Sequence, residues 1–167
     1  MEDALGLLRI RVRKGVNLAV RDTRSSDPYV VVKCGPQSVK TKVVKDTCNP
    51  IWNEELTIYI KDPNDPILLH VYDKDTFTGD DGMGDAQIDL KPYVEWLKMG
   101  LQGLLEGSVV EKVQPSSDNC LASESSIVWR NGKLVQDMFL RLRNVECGEV
   151  EVQIEWFDLP GSRGLRG

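Results

Sequence analysis

The chain has 167 residues, a formal net charge of -5, 41% hydrophobic and 28% charged residues. That length buries one core without staples and suits a single domain, and the hydrophobic content excludes a disordered chain. The acidic balance argues against a nucleic-acid partner and makes adhesion to an anionic membrane conditional on something that changes the charge.

In chain order, the dominant period is two, which reads as strands. Leu8, Ile10 and Val12 alternate with Arg9, Arg11 and Arg13, until Gly15 and Asn17 interrupt. Tyr29 to Cys34 is a near-continuous apolar run, as in a central strand covered on both faces. Val39, Thr41 and Val43 alternate with Lys40, Lys42 and Val44; after Asn49-Pro50, Trp52 to Ile60 alternates again. Ile67, Leu69 and Val71 lead straight into Asp73, and Met83 to Leu90 supplies another strand. The spacing then turns helical over Lys91 to Met99, with Pro92 suited to the first turn. Residues 101–126 are mixed and rich in turns. Asn131-Gly132 marks a hairpin between Ile127–Arg130 and Lys133–Gln136, and Glu149 to Phe157 closes the domain. The lone histidine, His70, reads as a strand-face residue. The expected fold is all-β: an eight-stranded antiparallel β-sandwich over residues 1–160, with a helix-plus-hairpin insertion at about 91–136 between strands six and seven, and a flexible tail at 161–167.

The four cysteines form no C-x-x-C pair and no Cys/His cluster, so structural zinc is not expected and reduced thiols are. No apolar leader and no run long enough to cross a bilayer is apparent, which points to a cytosolic or nuclear setting.

Two loops carry the chemistry. Asp22 and Asp27 lie between the first two strands; Asp73, Asp75, Asp80 and Asp81 lie around the turn between strands five and six. Aspartate favours turns for its own reasons. Two clusters of it, each beside a strand end, form an all-oxygen donor set of the kind that Ca²⁺ accepts at about 2.3–2.6 Å. Five of these carboxylates, Asp22, Asp27, Asp73, Asp75 and Asp81, exceed what one ion needs, so one or two calcium ions are expected. The absence of P-loop, G-x-S-x-G and H-E-x-x-H motifs, and of a base beside the acids, argues against an enzyme.

Ser26-Asp27-Pro28-Tyr29-Val30, Lys40-Thr41-Lys42-Val43, Asn49-Pro50-Ile51-Trp52-Asn53-Glu54, Val71-Tyr72-Asp73-Lys74-Asp75 and Asp80-Asp81-Gly82-Met83-Gly84 occur here in an order that resembles the C2 domain. Gly15 to Asp22, Asn119 to Ala122, Leu142 to Val150 and Leu159 to Ser162 narrow the likeness to the plant small C2-domain proteins of the C2-domain abscisic-acid-related and C2-domain GTPase-activating group. The resemblance implies metal ligands at Asp22, Asp27, Asp73, Asp75 and Asp81, with carbonyl ligands from Arg21 and Lys74. It also implies calcium-dependent binding to anionic phospholipid, residence in the cytosol with association at the plasma membrane, and presence in the nucleus. The implied partners are soluble abscisic-acid receptors and a YchF-type GTPase. An adaptor or GTPase activator in which calcium is secondary is the alternative.

On this reading two bound ions take the local charge from about -5 to about -1, lifting several kcal/mol of repulsion at ~1 kcal/mol per charge near an anionic leaflet. Arg24 and Phe77 stand at the loops as lipid contacts. Phe77 either buries its ring in the interface, worth roughly 1.5–3 kcal/mol, or packs on its own loop. Lys33, Lys40 and Lys42 form a candidate basic strand surface for phosphoinositides, which ordinary edge protection also explains. The insertion offers Tyr93, Trp96 and Leu97 as partner-binding residues.

Overall fold

The computed structural model describes residues 3–21, 25–75 and 79–165. Their elements run β1 (Gly6–Val16), β2 (Pro28–Cys34), β3 (Gln37–Lys40), β4 (Ile51–Ile60), β5 (Ile67–Asp73), β6 (Asp81–Ile88), α1 (Lys91–Lys98), β7 (Val109–Val113), β8 (Ser125–Arg130), β9 (Lys133–Arg141) and β10 (Glu149–Asp158). One sheet has the order β4-β1-β10-β9-β8-β7 and the other β3-β2-β5-β6, with antiparallel pairing throughout.

The alternation in β1 does what its period predicts. Leu8, Ile10 and Val12 are fully buried, and Arg9, Arg11 and Arg13 face outward onto Glu55, Glu151 and Glu155. Across the sandwich, Val30, Val32, Leu69 and Val71 supply the facing layer of the core. β2 lies between β3 and β5, but its two faces are not both covered as its apolar run suggests: Val30, Val32 and Cys34 point into the core, while Tyr29 and exposed Lys33 lie on the outer face with Val31. A bulge between Val12 and Lys14 carries β1 on to Val16, past the Gly15 expected to break it, and Asn17 with φ of +52° ends it.

The described residues hold ten strands where eight were expected. β7 adds an edge strand from a segment that reads as turn-rich, because five residues with one clear apolar pair give little periodicity. The Asn131-Gly132 turn, with φ of +52° and +79°, closes the hairpin as predicted. That hairpin is no appendage: β9 runs unbroken into the strand that pairs with β10, so the segment at 91–136 widens the sheet with β7 and β8.

Tyr93 corrects one expectation. The sequence offers it as a contact for a partner, but its ring is fully buried. Its hydroxyl donates to the Leu134 carbonyl at 2.7 Å and accepts the Trp156 N–H at 2.9 Å, standing between β9 and β10 where their direct pairing stops at Glu155 and Val135. Burial pushes its phenol far above the ordinary range. α1 is thereby riveted to the sheet. At the other end of the chain, the Ser162 hydroxyl donates to the Leu5 carbonyl at 3.1 Å, which ties residues beyond β10 to the start of β1.

Replacing Tyr93 by Phe keeps the ring and strands the Trp156 amide in a dry site. The expected cost is about 1–3 kcal/mol of unfolding free energy, measured by urea denaturation, with little change in the far-ultraviolet dichroism.

Candidate metal centre at one pole of the sandwich

The antiparallel register places the acids. Pro28 at the start of β2 lies opposite Asp73 at the end of β5, and Asp73 lies opposite Asp81 at the start of β6. Asp27, Asp73 and Asp81 therefore form one row across the top of the four-stranded sheet. The Asp27 N–H donates to Asp73 Oδ1 at 2.7 Å, and the Lys74 N–H returns to the Asp27 carbonyl at 3.0 Å. Two loops 46 residues apart in sequence are hydrogen-bonded at the residues that carry the acids. Asp73 is 2% exposed, whereas Asp75 is half-buried and Asp81 exposed.

Asp22 and Arg24 of the first loop, and Phe77 of the second, lie outside the described residues. Among the described residues no group of three or more His, Cys, Asp or Glu side chains forms a ready metal cage. The donor chemistry nonetheless fits a hard divalent cation: carboxylates from two loops meet in one row, all oxygen, with one of them buried. Sulfur and imidazole are absent from that row, which does not suit zinc.

Three neighbours shape the row. The buried Ser26 hydroxyl donates to the Ala19 carbonyl at 2.8 Å and accepts the Arg21 N–H at 2.9 Å, closing the first loop on itself. Asp46 is a residue that sequence reasoning missed. Its N–H donates to Asp27 Oδ1 at 2.7 Å, and its own carboxylate accepts the Ser25 hydroxyl at 2.7 Å, so a third loop backs the first. Its place between Lys45 and the Asn49-Pro50 turn was the signal in the sequence; its φ of +63°, which Asp tolerates, belongs to the fold. Arg21, named for its carbonyl, also has a fully engaged side chain. Its guanidinium forms two 3.0 Å bonds to Glu146 and one of 3.2 Å to the Gly82 carbonyl. The hydrogen bonds from Arg21 hold the Glu146 carboxyl down at about 2.

Asp80, set apart from the ligand set in the sequence, has a different occupation. The Tyr29 hydroxyl donates to its Oδ2 at 2.5 Å, the Asp75 N–H to its Oδ1 at 2.9 Å, and Lys74 Nζ lies 3.8 Å away. Desolvation, reinforced by that bond to a carboxylate, pushes the Tyr29 phenol up to about 12. Tyr29 stacks on Tyr72 at 5.7 Å, and Tyr72 on His70 at 6.1 Å, along the outer face of the four-stranded sheet. Lys33 shares that face by period two, and so does Lys40, which lies opposite Val31. Lys42 follows β3, also exposed, its N–H bonded to Glu54. The basic surface and the acid pole thus meet at Tyr29 and Asp80.

The predicted partner residues divide. Tyr93 is interior. Trp96 and Leu97 are half-buried, with Trp96 Nε1 donating to Glu111 at 2.6 Å, and both line a cleft of about 470 Å³ together with Leu101, Trp129, Trp156 and Leu165.

The C2 domain family model matches residues 6–104. Protein C2-DOMAIN ABA-RELATED 4 of Arabidopsis thaliana is 61% identical over 165 residues, covering 99% of this chain and 93% of that protein. GTPase activating protein 1 of Oryza sativa subsp. japonica is 56% identical over 161 residues, covering 96% and 97%. Among solved structures, the calcium-bound pair of C2 domains of Extended-Synaptotagmin 2 aligns with a TM-score of 0.64 at 22% identity, over 93% of this chain and 47% of that one. A C2 domain of plant Extended Synaptotagmin 1 aligns at 0.60 and 19% identity, over 93% and 97%. At these identities the structural likeness shows the fold alone.

Asp73 serves the fold as well as the pole. In chelator, Asp73→Ala is expected to lower unfolding free energy by about 1–3 kcal/mol by leaving the Asp27 amide without that acceptor. Exposed Asp81→Ala is expected to stay within about 0.5 kcal/mol of the parent. Urea melts of both variants check the pair.

Proposed function

The chain belongs to the C2-domain family and, within it, to the plant C2-domain abscisic-acid-related group, and from that premise we propose that it is a calcium-dependent phospholipid-binding module that docks at the plasma membrane and gathers signalling partners there. The observation that carries this reading is the row of Asp27, Asp73 and Asp81, seamed across two loops by main-chain hydrogen bonds, with Asp75 beside it. Asp27, Asp73, Asp75 and Asp81, joined by Asp22 and by the carbonyls of Arg21 and Lys74, would hold one or two Ca²⁺. The bound ions would lift most of the repulsion between this pole and anionic headgroups and accept lipid phosphate oxygens.

The protein's own groups supply the rest. Lys33, Lys40 and Lys42 place fixed positive charge along the strand face that begins beside the acid pole, where Tyr29 and Tyr72 add a flat, partly polar surface. That arrangement suits a phosphorylated inositol headgroup held while the loops engage the bilayer. Arg24 and Phe77 are assigned to the same membrane contact.

Partner binding falls to the insertion. Trp96 and Leu97 border the cleft beside α1, away from the acid row. The proteins proposed to dock there are soluble abscisic-acid receptors and a YchF-type GTPase, in the cytosol, at the plasma membrane and in the nucleus; the relatives' names support an abscisic-acid relation and a GTPase partner. We assign no reaction to the chain itself. No helix among the described residues is long and apolar enough to cross a membrane.

Sedimentation with phosphatidylserine vesicles tests the proposal. Binding is expected in calcium and absent in excess chelator, and the Asp75→Asn, Asp81→Asn double variant is expected to abolish it while melting like the parent. Replacing Lys33, Lys40 and Lys42 by Ala should weaken binding to phosphoinositide vesicles by about 1 kcal/mol per lysine at low salt. Undiminished sedimentation in chelator would overturn the calcium reading.

A further inference from the structure

Arg21 lies at the edge of the first loop, and its main chain and side chain point to different tasks. The N–H is tied to Ser26 Oγ at 2.9 Å and to the Ser25 carbonyl at 3.3 Å, which fixes the Val20–Arg21 peptide, the one just before the carbonyl in the candidate ligand set. The guanidinium donates four hydrogen bonds in other directions: Nε to the Gly82 carbonyl at 3.2 Å, Nη1 to the Val20 carbonyl at 3.2 Å and to Glu146 at 3.0 Å, and Nη2 to Glu146 at 3.0 Å. One planar group therefore joins the first loop, the residue next to Asp81, and the loop between β9 and β10.

The far anchor is rigid. Arg143 and Asp85 exchange main-chain bonds at 3.1 and 2.7 Å, and the Asp85 carboxylate also accepts from the Arg143 and Asn144 side chains. Gly84 lies so close beneath Val145 that a Cβ there would stand 2.6 Å from its methyl. Glu146 is thus presented from a platform already bonded to β6. Its side chain is 62% exposed, so a plain surface ion pair would contribute little to stability. Its bidentate geometry and its place between both acid loops give it a different value.

We propose that the Arg21–Glu146 pair is a positioning device for the divalent-cation site, setting the gap between the first loop and Asp81 while Glu146 cancels the guanidinium charge that would otherwise repel the cation. The proposal rests on the calcium reading above. Neither residue touches the ion through its side chain; the pair acts through the Val20–Arg21 main chain at the edge of the first loop and through the β6 backbone at Gly82.

The two physical effects of Arg21 have opposite signs, which makes the proposal decidable. As a bare positive charge near a cation site, Arg21 weakens binding, and removing it strengthens binding. As a strut, its removal weakens binding, by the roughly 10–100-fold typical of groups that orient metal ligands from outside the coordination sphere.

Calorimetric titration of the full chain with calcium alone reads the difference. Arg21→Gln and Glu146→Gln are each expected to weaken calcium binding about tenfold, and the double variant no further, because the two residues act as a unit. Arg21→Lys keeps the charge and loses the fork, and is expected to fall with Arg21→Gln rather than with the parent. Arg21→Gln binding as tightly as the parent or tighter, or additive losses in the double variant, would overturn the strut. Should Arg21→Gln fail to fold in chelator, Arg21→Lys decides alone: parent-like affinity removes the proposal. A parent chain that takes up no calcium and gives no terbium luminescence would instead remove the calcium reading beneath it.

Discussion

One exchange of hydrogen bonds underlies this molecule. The Asp27 amide meets the Asp73 carboxylate and the Lys74 amide meets the Asp27 carbonyl, so the ends of β2 and β5 are joined by the residues that carry the charge. Aspartates gathered this closely repel one another. The fold tolerates Asp73 at near-complete burial because a main-chain N–H faces it. The acid row is therefore part of the ladder at Asp73, which cannot be removed as if it were a surface ornament, whereas Asp81 stands exposed.

Around that seam the pole is built in layers. Ser26 closes the first loop from within, Asp46 backs Asp27 from a third loop, and Asp80 draws Tyr29 toward the second. Each layer is a short-range polar contact to a main-chain group or a single side chain. Together they give the loops an ordered scaffold that does not depend on hydrophobic packing, which is scarce at the end of a sandwich. On the outer face the same economy recurs: Arg9 serves Glu55, Glu155 and the Phe157 ring at once, and Lys133 shares the last two.

Much of this was legible in the order of residues, for reasons that can be named. Strict alternation in β1, β5 and β10 fixes which face is inward, and alternation that runs straight into Asp73 fixes where that acid must stand. The hairpin at Asn131-Gly132 follows from two residues that tolerate positive φ. What was hidden is what depends on separation in sequence. Arg21 and Glu146 are 125 positions apart, and nothing in either neighbourhood says that they meet. Tyr93 stands on the apolar side of a short helix, where a buried hydroxyl bridge and an exposed anchor look alike until the strands beneath it are known. β7 is too short to declare itself.

The pairing of β1 with β10 has a geometric consequence. Gly6 lies opposite Asp158 and Val16 opposite Glu149, so the first and last strands of the sandwich run side by side from end to end. About ten steps of roughly 3.3 Å separate Gly6 from the end of β1 that leads into the acid loops, roughly 33 Å. Chain that precedes β1 or follows β10 thus departs together from the face turned away from the aspartates. A tether, a reporter or a further domain attached at either extremity would hang behind the molecule, leaving its charged prow clear.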